Sequence, residues 1–388
     1  MKNRSLLMIP GPIEFDPAVL AAMSVAPTSH TVPAFIEIFG QALEKTRKVF
    51  LSEDGQPFVV PGSGTLAMDM AACNMIEPGD KALVINTGFF SERFGSILER
   101  YGAQVTHYRC AIGDVPDADE VEKVLKQGGF KVMTVTQVDT STGVLVDVKE
   151  MSELAHRYGV MIFVDGVCSI AGEALRMTEW DIDIALTASQ KAISVPPGLA
   201  ILVAGPRAMK TLNERKTPVP NYYGDMKSWL PTMIAYEGRK PSYFGTPAIN
   251  LVNALNVSLG QILEEGMEAR FKRHARFSAA FKAGILALGL KLVPNHLEWA
   301  AHTLTNVYLP DGITQSAFIG EMMKDGVIPA AGLHPAIREK YFRVGHMGPV
   351  NQNDLFGAMG AVETALKKCG YHFKPGSGLA ALSAGLLA

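Results

Sequence analysis

The amino-acid sequence predicts an α/β protein whose larger domain contains a mainly parallel sheet. Between residues 81 and 188, short apolar runs alternate with segments of helical length. The apolar runs are mostly continuous, which is typical of strands that are covered on both faces. Strand–helix–strand alternation of this kind favours parallel pairing. The chain has 388 residues, which is enough for one large and one smaller domain.

Four apolar runs predict strands, and the segments between them predict helices. The strands are expected at 81–86, 130–138, 160–165 and 182–188, and the helices at 91–102, 117–129 and 147–159. Two of these helices begin at Asp and all three end at Gly, as N-caps and C-terminal turns favour. Ligands of such sheets bind beyond the carboxyl ends of the strands, so residues that follow strands are the candidates for function.

The pattern changes after about residue 250, where two long helical segments are expected at 249–266 and 267–289. We therefore predict an extended N-terminal segment over 1–14, a large domain over 15–260 and a small α+β domain over 261–388. The apolar C-terminal stretch LAALSAGLLA follows a PGSG linker and is expected to form a terminal helix or a frayed tail.

The composition argues against several kinds of partner and site. The formal net charge is −2 with both signs interspersed, so neither nucleic acid nor an anionic membrane is expected as a partner. No stretch approaches the roughly 20 apolar residues of a membrane helix, and the first apolar run, of about five residues, is too short for a secretory signal. The four cysteines form no CxxC pair and the nine histidines no HExxH motif, which predicts free thiols and no metal site. We expect a cytoplasmic protein, and the sequence leaves a peroxisomal or mitochondrial location open.

Three groups of residues that follow apolar runs could contact a ligand. The Ser-Gly-Thr stretch at 63–65 precedes a helical segment whose first N–H groups favour an anion, although a simple turn and helix cap would look the same. Phe90 could stack on a flat ring or fill the core. Thr140, in the polar run 139–142, could hydrogen-bond a ligand or cap a turn.

Two further residues carry charges at the ends of apolar strands. Asp165 ends an entirely apolar run, where a carboxylate is costly to bury unless it meets a positive partner. Lys191 follows the next run, and burial favours its neutral amine, which can attack an aldehyde and form a Schiff base. A helix cap and a surface lysine are the ordinary alternatives for these two residues.

One ligand requires all five features, and that ligand is pyridoxal 5′-phosphate (PLP). Its phosphate would bind at residues 63–65 and its ring would stack on Phe90. Asp165 would pair with the pyridine nitrogen, which lets the ring accept electrons, and Lys191 would bond the aldehyde. The sequence therefore predicts a PLP site at the carboxyl edge of the sheet.

The chain resembles the class V aminotransferase group of fold-type-I PLP enzymes, and within that group the alanine–glyoxylate aminotransferases. The resemblance covers nearly the whole chain and is carried by PGP (10–12), VDGVCS (164–169), ASQKA (188–192), PPGLA (196–200) and FRVGHMG (342–348). It implies a large domain with a mainly parallel seven-stranded sheet between helices and a smaller α+β C-terminal domain. It also implies a homodimer whose two active sites are shared between subunits.

The resemblance implies a role for each candidate residue. The cofactor would be held by the Schiff-base residue Lys191, the ring partner Asp165, the phosphate ligands Ser63, Gly64, Thr65 and Gln190, the neighbouring Thr140 and Ser169, the stacking Phe90, and Tyr243 and Thr246 from the partner subunit. The substrate carboxylate would bind Arg343, helped by backbone near Gly11. From its residue type alone, a structural ion pair would be the favoured role of Arg343.

The implied activity is a two-stage transamination that moves the amino group of a small amino acid to a 2-oxo acid. L-Alanine is the favoured donor and glyoxylate the acceptor, giving pyruvate and glycine. Serine–glyoxylate and pyridoxamine–pyruvate aminotransferases are the nearest alternatives. A cysteine-desulfurase-like lyase would need a mobile cysteine in the C-terminal half, where Cys369 is the only one. A non-catalytic PLP-binding protein is the third alternative, although it need not keep Lys191, Asp165 and Arg343 together.

Overall fold

A computed structural model of the chain describes residues 5–387, which form fourteen strands and thirteen α-helices. The strands are β1 Leu6–Leu7, β2 Gln56–Pro61, β3 Lys81–Asn86, β4 Gln104–Arg109, β5 Phe130–Thr136, β6 Val138–Asp139, β7 Val144–Leu145, β8 Met161–Asp165, β9 Ile184–Ala188, β10 Leu199–Ala204, β11 Leu304–Tyr308, β12 Val327–Ile328, β13 Ala330–Ala331 and β14 Tyr341–Gly345. The helices are α1 Pro17–Met23, α2 Pro33–Val49, α3 Gly64–Met75, α4 Phe89–Arg100, α5 Ala118–Leu125, α6 Val148–Arg157, α7 Pro206–Glu214, α8 Met226–Glu237, α9 Ile249–Glu265, α10 Met267–Ala287, α11 Gln315–Lys324, α12 Gln352–Lys368 and α13 Ser377–Leu387.

The central element is a seven-stranded sheet in the order β2-β10-β9-β8-β5-β3-β4. Strand β10 is antiparallel to both of its neighbours, and the other adjacent pairs are parallel. All strands except β10 therefore run in one direction. The prediction of an α/β fold with a mainly parallel sheet is confirmed.

The predicted strands at 81–86, 130–138, 160–165 and 182–188 correspond to β3, β5 with β6, β8 and β9. Each of β5, β8 and β9 is almost wholly buried, as their continuous apolar runs indicated. Strand β4 lies at the sheet edge and its residues are exposed or half-buried, so its sequence QVTHYR lacks the apolar signal. This explains why an apolar-run criterion does not find it.

Helices α5 and α6 begin where the sequence indicated, and α4 begins at Phe89, two residues earlier than predicted. The side chains of Asp117 and Asp147 accept hydrogen bonds from the backbone N–H groups of Glu120 and Glu150, both at 3.0 Å, and so cap α5 and α6. Helix α5 ends at Leu125, earlier than expected, because two consecutive left-handed glycines, at 128 and 129, follow it.

The C-terminal part of the chain contains the antiparallel sheet β11-β14-β13, packed against helices α10 and α12. The apolar tail forms helix α13, in which Leu382 is fully buried. Helix α10 contributes Phe271 to the core of the seven-stranded sheet and Phe277 to a second core. The division of the chain at residue 260 therefore stays a prediction. Among residues 5–387, no helix is both long and apolar enough to cross a membrane.

Candidate active site

The carboxyl ends of the central strands and the beginning of α3 surround a cavity of about 150 Å³. Eight of the predicted cofactor residues line it, namely Ser63, Gly64, Thr65, Phe90, Thr140, Asp165, Gln190 and Lys191. A larger cleft of about 720 Å³ is lined by none of the predicted site residues. The chemistry of the lining therefore identifies the smaller cavity as the candidate site.

Lys191 lies directly after β9 and is almost buried, with 9% of its surface exposed. Its Nζ donates a hydrogen bond to the carbonyl oxygen of Pro10. Burial, with a smaller contribution from the Arg343 charge, lowers the pKa of the Lys191 amine. The residue is thus a buried amine and not a surface lysine.

Asp165 ends β8, the strand next to β9, and is 2% exposed. One carboxylate oxygen accepts from Val167 N at 3.0 Å, and the other has only a long contact of 3.5 Å with Thr136 Oγ1. Burial raises the pKa of this carboxyl to about 7. No ion pair joins Asp165 to Lys191, although both line the same cavity. A cationic ring nitrogen between them would satisfy the carboxylate.

The N-terminus of α3 forms the third side of the cavity. Ser63 is the N-cap residue, and its side chain makes no capping hydrogen bond, so the first N–H groups of α3 remain available to an anion. A Cβ atom on Gly64 would lie 2.9 Å from Val167 Cγ2, which keeps this position to glycine. The side-chain oxygen of Gln190 is buried without a hydrogen-bond partner. An amide can present either end to a ligand, so this side chain can donate to an anion.

These observations test whether the residues present fit PLP. The phosphate group of the cofactor fits the open α3 N-terminus and Gln190, the pyridine nitrogen fits Asp165, and the aldehyde fits Lys191. Ser169 does not line the cavity, but it is fully buried nearby and its hydroxyl oxygen has no partner among the described residues. The donor set therefore fits the cofactor that the sequence predicts.

The polar run at 139–142 divides between structure and site. The Asp139 carboxylate accepts from the backbone N–H groups of Phe90 and Ser91, at 3.0 and 3.1 Å, and so fixes the first turn of α4. Thr142 donates to Thr87 O at 3.0 Å. Thr140 is the member of the run that lines the cavity. Asp139 therefore caps a helix, as one of the two alternatives for this run predicted. Contact with a ligand stays a prediction for Thr140.

Arg343 lies on β14 of the C-terminal sheet, outside the lining of the 150 Å³ cavity. Its Nε donates to Ala331 O at 2.7 Å, and its Nη1 has a long contact of 3.5 Å with Thr140 O. It forms no ion pair with a carboxylate of residues 5–387. The structural ion pair considered for this residue is therefore not present among the described residues. Nη2 has no hydrogen-bond acceptor among the described residues and can bind a carboxylate.

The N-terminal segment closes over Lys191. Gly11 has a φ angle of +109°, and a Cβ atom there would lie 2.7 Å from Lys191 Nζ. Only glycine allows the backbone this close to the amine. Gly11 therefore lies beside the Lys191 amine, and its contribution to substrate binding stays a prediction.

Tyr243 and Thr246 do not line the cavity of their own chain. Tyr243 is 63% exposed, and the two hydroxyl groups lie 3.5 Å apart. One chain therefore does not bring these two residues to the site, and their predicted role depends on a partner subunit.

Sequence reasoning missed several residues at the site. Met68, Arg93, Val138, Val167 and Cys168 also line the cavity. Arg93 is three residues after Phe90 on α4, its guanidinium lies 5.0 Å from the centre of the Phe90 ring, and its Nη1 donates to Thr65 Oγ1 at 3.2 Å. Helical spacing from Phe90 was the signal that could have found Arg93.

Cys369, the cysteine that a lyase of the cysteine-desulfurase type would need, caps the end of α12. It is not among the residues that line the cavity.

A buried lysine after one strand and a buried carboxylate at the end of the neighbouring strand are the arrangement expected of a PLP-dependent enzyme of fold type I. The family model Aminotransferase class-V matches residues 20–347. The chain belongs to the class V aminotransferase family, and it is an aminotransferase whose cofactor is PLP.

Three similar proteins indicate the range of the family. The chain is 42% identical to alanine–glyoxylate aminotransferase 1 of Saccharomyces cerevisiae, over 89% of this chain and 93% of that protein. It is 32% identical to the serine–glyoxylate aminotransferase of Arabidopsis thaliana, over 98% and 95% of the two chains. The solved structure of pyridoxamine–pyruvate aminotransferase from Mesorhizobium loti superposes with a TM-score of 0.93 at 26% identity, covering 99% of this chain and 97% of that one.

The raised pKa of Asp165 predicts a pH-dependent stability of the cofactor-free protein. The unfolded chain loses this proton near pH 3.8 and the folded protein near pH 7, so stability falls as pH rises through that window. We expect the free energy of unfolding of the wild type, relative to Asp165→Asn, to fall by roughly 2–4 kcal/mol from pH 4 to pH 7. Urea denaturation at each pH measures it.

Asp311→Asn, which changes an exposed carboxyl, is the control: because it retains Asp165, it should follow the wild type across this pH range. PLP should remove the trend in the wild type, because its ring nitrogen stabilises the ionised carboxylate. A wild type that follows Asp165→Asn at every pH would contradict a buried carboxyl at this position.

Proposed function

We propose that the protein transfers the amino group of L-alanine to glyoxylate, giving pyruvate and glycine. The observation that carries the proposal is that one cavity is lined by both Lys191 and Asp165. Arg343, on β14 of the C-terminal sheet, forms no ion pair with a carboxylate of residues 5–387. The choice of substrates is supported by the 42% identity to the yeast alanine–glyoxylate enzyme. The reaction would consume glyoxylate and form glycine.

When bound, PLP supplies an aldehyde that takes up the amino group and a ring that accepts the electron pair of the substrate α-carbon. The residues of this chain provide the proton transfers. Because burial favours its neutral form, the Lys191 amine can remove the α-proton and return it elsewhere as a general base and acid. Asp165 would hold a proton on the ring nitrogen, and the open α3 N-terminus would hold the phosphate.

Arg343 would orient the substrate. A guanidinium binds a carboxylate through two parallel hydrogen bonds, and this fixes the position of the α-carbon. Arg343 Nε is already held by Ala331 O at 2.7 Å, so the side chain is oriented before substrate arrives. The same contact serves the amino acid donor and the 2-oxo acid acceptor, because both carry a carboxylate beside the reacting carbon.

We propose further that two copies of the chain form a homodimer with shared sites. Two tyrosines that precede α8 are also exposed, Tyr222 by 82% and Tyr223 by 41%. The Tyr222 ring lies 5.6 Å from the ring of Phe244, which directly follows Tyr243. A partner surface would bury these rings and bring the two hydroxyl groups to the phosphate of the other subunit.

The test of the proposed function is a half-reaction with each donor. The PLP form is mixed with L-alanine or L-serine, the cofactor-free form is mixed with pyridoxamine, and the absorbance of the cofactor is followed. L-Alanine should convert the cofactor to its amino form fastest and release pyruvate, and glyoxylate should reverse the change. A faster reaction with L-serine or with pyridoxamine and pyruvate would assign the alternative activity.

The matched control is Lys191→Ala. Borohydride should fix the cofactor to residue 191 of the wild type and not to this variant, as read by peptide mass spectrometry. Covalent fixation in the variant would show that a different lysine holds the cofactor.

Arg343→Ala should weaken amino acid binding far more than cofactor binding. Loss of hydrogen bonds to a charged group, worth about 1.5–3 kcal/mol each, should raise the KM for the donor by at least about tenfold. The affinity for PLP, measured by titration of the cofactor-free protein, should stay within about twofold. Arg338→Ala, an exposed arginine five positions earlier, is the control. Equal losses of both affinities would make Arg343 a structural residue.

Subunit mixing tests the shared site. Lys191→Ala and the double variant Tyr243→Ala/Thr246→Ala should each be inactive alone. A mixed dimer should contain one intact site, because the native lysine of one subunit meets the native hydroxyls of the other. Random mixing should therefore restore activity at about a quarter of all sites. No recovery in a verified mixed dimer would mean that both groups act within one chain.

A further inference from the structure

One buried arginine donates hydrogen bonds to both loops that carry the candidate PLP residues. Arg270, in the first turn of α10, is 5% exposed. Its Nε donates to Ala171 O at 2.7 Å and its Nη2 donates to Ala192 O at 2.8 Å. Ala192 directly follows Lys191, and Ala171 lies in the loop that follows Asp165.

These two loops need support from outside. Ala171 has a φ angle of 67° and Ser194 one of 62°, in the left-handed region that side chains disfavour. Each conformation persists only where surrounding contacts enforce it. For the loop after Asp165, the carbonyl that Arg270 holds belongs to the strained residue itself. For the loop after Lys191, the carbonyl lies two residues before the strained position.

The third guanidinium nitrogen of Arg270 also has a partner. Its Nη1 pairs with Glu265, the last residue of α9, at 2.8 Å. Glu265 also pairs with Arg273 at 2.6 Å. Arg273, however, donates to Gly348 O at 3.1 Å and Val350 O at 3.3 Å, in the segment after β14, and to neither cofactor loop. The two arginines share the Glu265 carboxylate and donate to different loops.

We propose that Arg270 is a positioning residue that sets the separation of Lys191 and Asp165, the two side chains that one PLP molecule must bridge. This inference rests on the roles given to those two residues under the proposed function. The guanidinium is a rigid planar fork, so the two carbonyl groups it binds are fixed relative to each other. A lysine ammonium at this position is shorter and has no fixed fork, and it cannot hold both carbonyl groups in the same geometry.

The experiment compares Arg270→Lys and Arg270→Met with Arg273→Lys, the matched control on the same helix. Three quantities are measured: the Kd for PLP, the pH at which the visible band of the bound cofactor titrates, and the melting temperature of the cofactor-free protein. Arg270→Lys should raise the Kd at least about tenfold and shift the titration midpoint by ~0.5 pH unit or more. Arg270→Met should have a larger effect on both.

Arg273→Lys should leave the Kd and the midpoint within about twofold and ~0.2 pH unit of the wild type, even where its melting temperature falls. A general loss of stability lowers the melting temperature without moving the midpoint. Equal Kd values and midpoints in Arg270→Lys and Arg273→Lys would overturn the proposal. So would an Arg270→Lys protein that does not fold, because the role of Arg270 would then be the stability of the fold.

Borohydride trapping on the wild type separates this inference from the proposed function. If the label is not on Lys191, the proposed function fails, and this inference fails with it. If the label is on Lys191 and the Arg270→Lys values match the wild type, only the positioning role of Arg270 is wrong.

Discussion

Two ionisable groups have to remain buried at one edge of the sheet, and the rest of the site depends on this constraint. Asp165 and Lys191 follow neighbouring strands and are 2% and 9% exposed. Burial opposes the charged form of each group, and although their charges attract each other, no ion pair joins the two side chains. The result is an amine whose pKa is lowered and a carboxyl whose pKa is raised. A ligand with an aldehyde at one end and a basic ring nitrogen at the other satisfies both groups at once.

The same constraint explains why chain segments distant in sequence meet here. Lys191 Nζ donates to Pro10 O, and Gly11 leaves room for the amine. β1 lies just before these residues and pairs in parallel with β12, and this pairing joins the N-terminal segment to the C-terminal part of the chain. A buried amine needs an acceptor, and here the acceptor comes from backbone tied to the C-terminal sheets. Any movement of those sheets relative to the seven-stranded sheet would therefore reach the lysine directly.

Much of the fold and part of the site could be predicted because the signals are local. The continuous apolar runs of β8 and β9 marked both strand ends, and so located Asp165 and Lys191. Thr140 could not be separated from Asp139 in this way, because the carboxylate of Asp139 is committed by backbone N–H groups 48 and 49 residues away. Helical spacing from Phe90 could have predicted that Arg93 lies at the site, but this residue was not among those predicted from the sequence. The surroundings of Tyr243 cannot be derived from one chain when it is 63% exposed there.

The residues proposed for the cofactor and those proposed for the substrate lie in different parts of the chain. This separation explains how relatives with differently named substrates can share one fold. The residues that line the cavity all lie between positions 63 and 191. Arg343 lies on β14 instead, and the backbone beside the amine comes from the first dozen residues. A change of side chain in these outer segments would alter the space beside the proposed carboxylate site at Arg343, while Lys191 and Asp165 would stay in place. Specificity should therefore vary through the N-terminal segment and the surroundings of β14, and the chemistry of amino transfer should not.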